Sequence, residues 1–399
     1  MSKEQPFFSI VIPTKNRPDY LRQSIQSVLL QGFDDYELII SDNFNESPTE
    51  RVLEEFRCHP KVKTYRTKEE MNMIDHWEFA TKKTIGKYVI LLADRKVLYK
   101  HALKTAEELI QEKPELNAYS FGVRMYDEVR GEVFSSLPFS GELEMLESAY
   151  LARNFLDENL FLSQTLDNKF PKTLNGCYKN SFAKEVRERI GAYFNYKGVM
   201  TPDYSSFCIN VALNKYVGYL SAPLILTQGE HLSNGRNFGQ GKVKGYLGSL
   251  KLDDLYCQVP IKAPFIYNLV FSDYLVIKQV LGGELDNVEL NYVNYYAVNK
   301  YENNRKNGVT ELAREVKQFF TDEWDKSFAS LNQEMKDKIK QKVKDYEDAL
   351  VQWNLGKRKH TLKDYLKSVQ TKLLLIKFIR RIFVKRYPDG LRAAKFNSL

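Results

Sequence analysis

PFFSIVIPTKNRPDYLRQSIQSVLLQGFDDYELIISDN, residues 6–43, decides how this 399-residue chain folds. Phe7 to Ile12 is a short, mostly apolar run rich in β-formers, the pattern of a strand buried on both faces. Pro13 and Pro18 punctuate the loop that follows. Leu21, Ile25, Val28 and Leu29 then recur at helical spacing, and Tyr36 to Ile40 reads as a second strand ending at Asp42. In an open parallel sheet, ligands collect beyond the carboxyl ends of the strands. Thr14 to Arg17 and Asp42 are therefore expected to line one crevice, the seat of a nucleotide.

The same alternation continues outward. Helices are predicted around Glu50 to Phe56, across Ile74 to Lys83 and over Ala102 to Gln111, with strands at Val62 to Tyr65, Lys87 to Leu92 and Leu116 to Val123. Strands alternating with helices predict an α/β fold, a mostly parallel, Rossmann-like sheet flanked by helices. Residues 124–200 are less regular and are expected to hold an insertion on the acceptor side, with helices around Ser148 to Leu156 and Phe182 to Ile190. The glycine-rich stretch Gly229 to Gly245 reads as a mobile loop. From about Tyr246 the pattern turns helical. Thr310 to Phe320 and Ser330 to Leu350 are long and amphipathic, and Ser330 with Gln333 has the spacing of a capping box. The expected organisation is a domain over 1–245, a helical C-terminal domain over 246–356 and a basic amphipathic tail over 357–399.

Composition narrows the function. The net charge is +8, yet Lys357 to Arg386 alone holds eleven Lys or Arg against one acid, Asp364. The basicity is thus local, and no nucleic-acid-binding motif accompanies it. Within that tail, Leu362, Leu366, Val369, Leu373, Ile376, Ile379 and Phe383 fall on one helical stripe with cationic flanks, which suits an anionic membrane surface. A core helix with a solvated basic face is the alternative. The four cysteines, Cys58, Cys177, Cys208 and Cys257, are scattered, which fits a reducing compartment. No signal-peptide core and no apolar run of membrane-spanning length is visible, so a cytoplasmic protein peripheral to the inner face of the cell membrane is expected. No HExxH, Walker-type loop or dinucleotide fingerprint occurs, which removes support for proteolysis, nucleotide hydrolysis and hydride transfer.

The opening segment resembles family 2 glycosyltransferases of the GT-A fold, which begin with an apolar strand, a Pro-Thr/Ser-x-Asn-Arg turn and a second strand ending Ser-Asp-Asn. The resemblance continues in order through Asn72 to Ala80, Gly86 to Asp94 and Thr201 to Ser205, and reaches Glu230 to Gly235. It implies an inverting transferase that moves a sugar from a uridine or thymidine diphosphate donor to a hydroxyl of a surface glycan, on a lipid carrier. Pro13, Thr14, Asn16, Arg17, Asp42, Asn72, Asp75, Asp94, Arg95, Lys96, His231 and Arg236 are the donor-side candidates. Asp42 would read the pyrimidine imide; capping of the Asn43 to Ser47 turn is the alternative. Asp75 and Trp77 shape the pocket or pack the helix.

Relatives carry an acidic cluster after the strand that here ends Ala93-Asp94-Arg95-Lys96. The resemblance implies a divalent ion, Mg or Mn, held through Asp94 and His231, but cations occupy the next two places and supply no oxygen ligand. Either Arg95 and Lys96 offset the charge of the leaving diphosphate, or catalysis is lost, or both side chains point into solvent. His231 is expected to contact metal or diphosphate, helped by Arg236, Lys242 or Lys244, or to be an ordinary loop histidine. Asp203 matches the acid that the family places before a helix, here predicted over Ser206 to Leu213, and is the expected general base; a helix N-cap is its other reading. His76 is expected on the helix surface or pocket wall. A catalytically inactive scaffold at the membrane, and transfer of a sugar phosphate or nucleotidyl group, are the rival functions.

Overall fold

The structure, a computed structural model, describes residues 5–44, 48–127, 131–135, 138–157, 168–229, 256, 258–263, 266–305 and 311–358. The first half runs β1 (Phe8–Thr14), α1 (Pro18–Leu29), β2 (Tyr36–Asp42), α2 (Pro48–Phe56), β3 (Val62–Arg66), α3 (Met73–Thr81), β4 (Tyr88–Leu91) and β5 (Lys96–Leu98). Next come α4 (Ala102–Glu112), β6 (Ala118–Asp127), β7 (Glu132–Phe134), β8 (Leu143–Glu147), α5 (Ser148–Asp157) and a 3-10 turn (Thr173–Asn175). Then follow β9 (Gly176–Lys179), α6 (Asn180–Ile190), α7 (Pro202–Ala212) and β10 (Tyr216–Thr227). The described chain closes with α8 (Ile266–Leu281), α9 (Tyr292–Arg305), α10 (Glu311–Ala329) and α11 (Gln333–Arg358).

All described strands join one sheet in the order β3-β2-β1-β4-β9-β6-β10-β5, with β7 beside β6 and β8 beside β10. β3, β2, β1 and β4 are mutually parallel, as expected of strands linked by helices. Beyond β4 the sheet is mixed: β9 is antiparallel to both β4 and β6, β10 is parallel to β6, and β5 and β8 run antiparallel to β10. β5, β7, β8 and β9 are short strands that the sequence pattern did not reveal.

β1 and β2 are buried at every position. Alternate side chains feed two hydrophobic clusters, one on each face. Ile10, Ile12, Leu38, Ile40 and Ile90 pack with α1 and α4. Val11, Ile39, Val89 and Leu91 belong to a second cluster that continues through Phe207, Phe271, Tyr295 and Trp324 to Tyr346. That face of the sheet and the C-terminal helices share one core.

Two local expectations are corrected. The cap of α11 is Asn332, whose side chain accepts from the Met335 amide at 2.9 Å; Ser330 instead donates to Ser327 O. His76 is buried, with Nε2 2.9 Å from the Ser41 hydroxyl. Burial pushes its pKa down to about 4, so it is a neutral, buried histidine; the helix-surface reading falls, and the pocket-wall reading, beside Ser41, remains.

Candidate functional site

The site is built on the carboxyl ends of three adjacent strands. In the β1–β2 register Thr14 stands beside Asp42, and Asp42 stands beside Arg66 on β3. On the other flank of β1, Asp94 follows the end of β4. Thr14 links the two acids: its hydroxyl donates to Asp94 at 3.0 Å. Arg17, just before α1, donates to the other Asp94 oxygen at 3.1 Å. Burial pushes the Asp94 carboxyl up, against the pull of Arg17 and Thr14.

Asp42 differs. It has no solvent exposure, and neither carboxylate oxygen has a hydrogen-bond partner. Arg66 Nε approaches to 3.5 Å, an electrostatic contact too long for a good hydrogen bond. Burial pushes Asp42 up to about 6, with Arg66 opposing. Of the Asn43 to Ser47 turn, residues 45–47 lie outside the described residues, so the turn-capping alternative stays beside the base-reading one. A buried acceptor pair without described donors can take a donor from a ligand, from water or from a neighbouring segment. The segments on either side of it, after Thr14 and after Thr67, are tied together by the Lys15–Glu70 ion pair at 2.5 Å.

The turn after Asp94 carries the chain towards the 3-10 turn at Thr173–Asn175. Lys96 is buried and donates to Leu174 O at 2.6 Å. The Leu174 amide in turn donates to Asp203 Oδ1 at 3.0 Å. Register, hydrogen bonds and chain adjacency thus lead stepwise from Asp42 through Thr14, Asp94, Lys96 and Leu174 to Asp203. Asp203 lies inside α7 rather than ahead of it: the helix starts at Pro202, and Thr201 holds the N-cap position. The N-cap reading of Asp203 is thus set aside. Tyr204, its neighbour, faces Lys172, whose ammonium is 4.9 Å from the ring centroid.

Arg95 and Lys96 do not point freely into solvent. Arg95 donates to Gln228 O at 2.9 Å, and the Gln228 amide returns a bond to Arg95 O at 3.2 Å. This pins the end of β10 to the Asp94 turn. Gly229, at φ +62°, passes so close to Tyr20 that an added Cβ would lie 3.1 Å from its ring. Tyr20 lines a depression of about 330 Å³ together with Lys15, Asn16, Arg17, Pro18 and Asp19. Asn16 adopts φ 57°, a left-handed conformation that asparagine tolerates. His231 and Arg236, with residues 230–245 of the glycine-rich stretch, lie outside the described residues.

Asn72 and Asp75 serve each other. Asn72 caps α3 by accepting from the Asp75 amide at 2.9 Å and donates to the Asp75 carboxylate at 2.7 Å. The second Asp75 oxygen accepts from Asn195. Pro13 is a buried β1 residue. Among the described residues no cluster of three or more His, Cys, Asp or Glu could hold a metal. Asp94 stands alone at its strand end, with both oxygens engaged and two cations next in sequence. Among the described residues this donor set offers a hard divalent ion a single, already engaged carboxylate, and His231 lies outside them. Sequence reasoning missed Asp273 of α8, which is buried and accepts from the Met200 and Thr201 amides just ahead of α7. The signal was a lone acid in an otherwise apolar helix, but its partner lies about 70 residues away.

Residues 9–166 match the sequence profile of the family described as Glycosyl transferase family 2. Protein CgeD of Bacillus subtilis (strain 168) is 27% identical over 137 residues, 32% of this chain and 32% of that protein. The chain thus spans about a third of that relative. GalNAc(5)-diNAcBac-PP-undecaprenol beta-1,3-glucosyltransferase of Campylobacter jejuni is 24% identical over 284 residues, 67% of this chain and 88% of the other. Among solved structures, S. aureus TarS 1–349 in complex with UDP-GlcNAc superposes with a TM-score of 0.46 and 15% identity, covering 84% of this chain and 91% of that one. A longer S. aureus TarS structure gives 0.44 and 14%, covering 80% and 54%.

Proposed function

From the match of residues 9–166 to glycosyl transferase family 2, we propose that this chain moves a sugar, with inversion, from a uridine or thymidine diphosphate donor to a glycan hydroxyl. The observation that carries this reading is Asp42, a buried carboxylate with two unfilled acceptor oxygens. An imide N–H of uracil or thymine would donate to it, whereas cytosine offers no donor at that position. Lone acceptors gain most from such a donor where water is excluded.

In the transfer step the acceptor oxygen attacks the anomeric carbon as its proton passes to Asp203. The bond from that carbon to the diphosphate breaks, and its electron pair leaves with the nucleotide. The leaving charge is offset by the cations around the Asp94 turn, Arg17, Arg95 and Lys96. No step is routed through a metal, since the described donors do not suit one. The acceptor is read as lipid-linked. The basic amphipathic tail favours an anionic membrane, and the name of the Campylobacter relative contains a PP-undecaprenol unit. Among the described residues no helix is long and apolar enough to cross a membrane; contact through the tail is measurable by vesicle co-sedimentation.

Thermal-shift screening of nucleotide sugars identifies the donor without knowledge of the acceptor. Turnover with that donor is expected to persist in the presence of a chelator. Asp203→Asn is expected to lower kcat by roughly 10²- to 10⁴-fold while the nucleotide still binds. Transfer at the normal rate by that variant removes Asp203 from the base role. Nucleotide binding without turnover by the native chain, for every donor and acceptor tried, favours the second reading: an inactive scaffold, in which Arg95 and Lys96 mark the loss of the acidic cluster.

A further inference from the structure

α7 has no conventional N-cap. Thr201 occupies the position, yet its side chain caps no helix amide; the hydroxyl donates instead to Asp273 Oδ2 at 2.5 Å. The same Asp273 oxygen accepts from the Thr201 amide at 2.6 Å, and Oδ1 accepts from the Met200 amide at 2.8 Å. Asp273 is fully buried, and among the described residues no Lys or Arg pairs with it. Three short donors on one buried carboxyl group form a rigid clamp; burial pushes its pKa up to about 7, against the pull of those donors. The clamped residues lead directly into Pro202 and Asp203. From the opposite side Asp203 is held by the Leu174 amide. Ser206, one turn on, accepts from the Thr173 amide and donates to Asp203 O.

We propose that Asp273, supplied by the helical region, is a positioning residue for Asp203: it fixes the Met200–Thr201 backbone so that the first turn of α7 presents Asp203 to the acceptor hydroxyl. The inference rests on Asp203 being the general base. It makes the helices after β10 part of the active centre rather than an appendage to it. A carboxylate held between two clamps loses little freedom on reaching the reactive geometry, and displacement by about 1 Å costs on the order of 100-fold in rate.

The test combines amide hydrogen exchange with kinetics on the full chain. Asp273→Asn keeps the shape but turns one acceptor into a donor that faces an amide. Exchange over residues 199–205 should quicken, and kcat should fall about 10- to 100-fold, with KM for the donor and affinity for UDP unchanged. In an Asp203→Asn background the same substitution should have no further effect on residual turnover, because it acts through Asp203. Thr201→Val, which removes only the hydroxyl donor, should quicken the same segment and lower kcat by a smaller factor, ~3- to 10-fold. It carries the same readouts should Asp273→Asn fail to fold. Unchanged exchange at 199–205 overturns the clamp. Losses that multiply with Asp203→Asn, or that fall on UDP affinity instead of kcat, overturn its action through Asp203. Normal transfer by Asp203→Asn alone refutes the base assignment instead, and the exchange measurement then still decides whether Asp273 holds the segment.

Discussion

Asp42 is ionised at neutral pH in a place that does not favour a charge. Burial raises its pKa to about 6, with Arg66 opposing and Glu50 adding to the rise. The ordinary value lies near 4. A folded-state pKa above the unfolded one contributes stability that is fully present below pH 4 and is lost as pH rises through about 6. At pH 7 the ionised form therefore costs roughly 3 kcal/mol of folding stability relative to a neutral group. Asp42→Asn should raise the melting temperature by several degrees at pH 7 and change it little at pH 4, while UDP affinity falls at least tenfold. Binding left intact by that substitution would remove Asp42 from base reading; an equal thermal effect at both pH values would remove the electrostatic cost. The position of Asp42 was legible in advance, because an acid that ends a buried strand after an apolar run has few other uses. Its lack of hydrogen bonds was not, since that depends on which side chains β3 and the neighbouring segments bring across.

At the scale of elements, legibility followed periodicity. β1, α1 and β2 came out nearly as read because their pattern is local: alternate burial on both faces of the strands, and a helix opened by Pro18. α7 begins earlier than its apolar residues suggest, at Pro202, since proline at the first helical position needs no amide partner. β9 escaped notice because its partners, β4 and β6, lie well away in sequence. Asn332 takes the capping role expected of Ser330 because the next helix starts at Gln333, where only Asn332 can reach the third amide. The tail beyond Arg358, outside the described residues, remains a sequence-level element. Seven apolar residues on one stripe, Leu362 to Phe383, sit among ten cations between Arg358 and Arg386. Such a helix is expected to bind anionic vesicles with steep salt dependence. Deleting Leu362 to Leu399 should release the chain from phosphatidylglycerol vesicles and leave transfer to a soluble acceptor intact. Vesicle binding that survives the deletion would refute the interfacial helix.

For the whole molecule, the decisive feature is that one hydrophobic cluster crosses from beneath the sheet into the C-terminal helices. Phe155 of α5 lies 4.9 Å from Phe207 of α7 and 6.2 Å from Phe271 of α8, measured between ring centroids. Tyr267, Leu269, Val270, Phe271, Tyr274 and Ile277 of α8 are all buried. Each such side chain contributes roughly 1.5–3 kcal/mol when removed from water, so losing α8 alone would forfeit on the order of 10 kcal/mol, comparable with the whole stability of a typical domain. Removal would also leave the Met200 and Thr201 amides without their carboxylate. Residues 1–245 expressed alone should therefore lack a cooperative thermal transition and the near-ultraviolet circular dichroism of packed aromatics, even though the fragment contains Asp42, Asp94 and Asp203. A sharp melting transition in that fragment, shifted upward by UDP, would show that the sheet domain stands without its helices. It would also make the clamp on Asp203 dispensable for forming the nucleotide pocket, and would confine the influence of the helical region to the acceptor side.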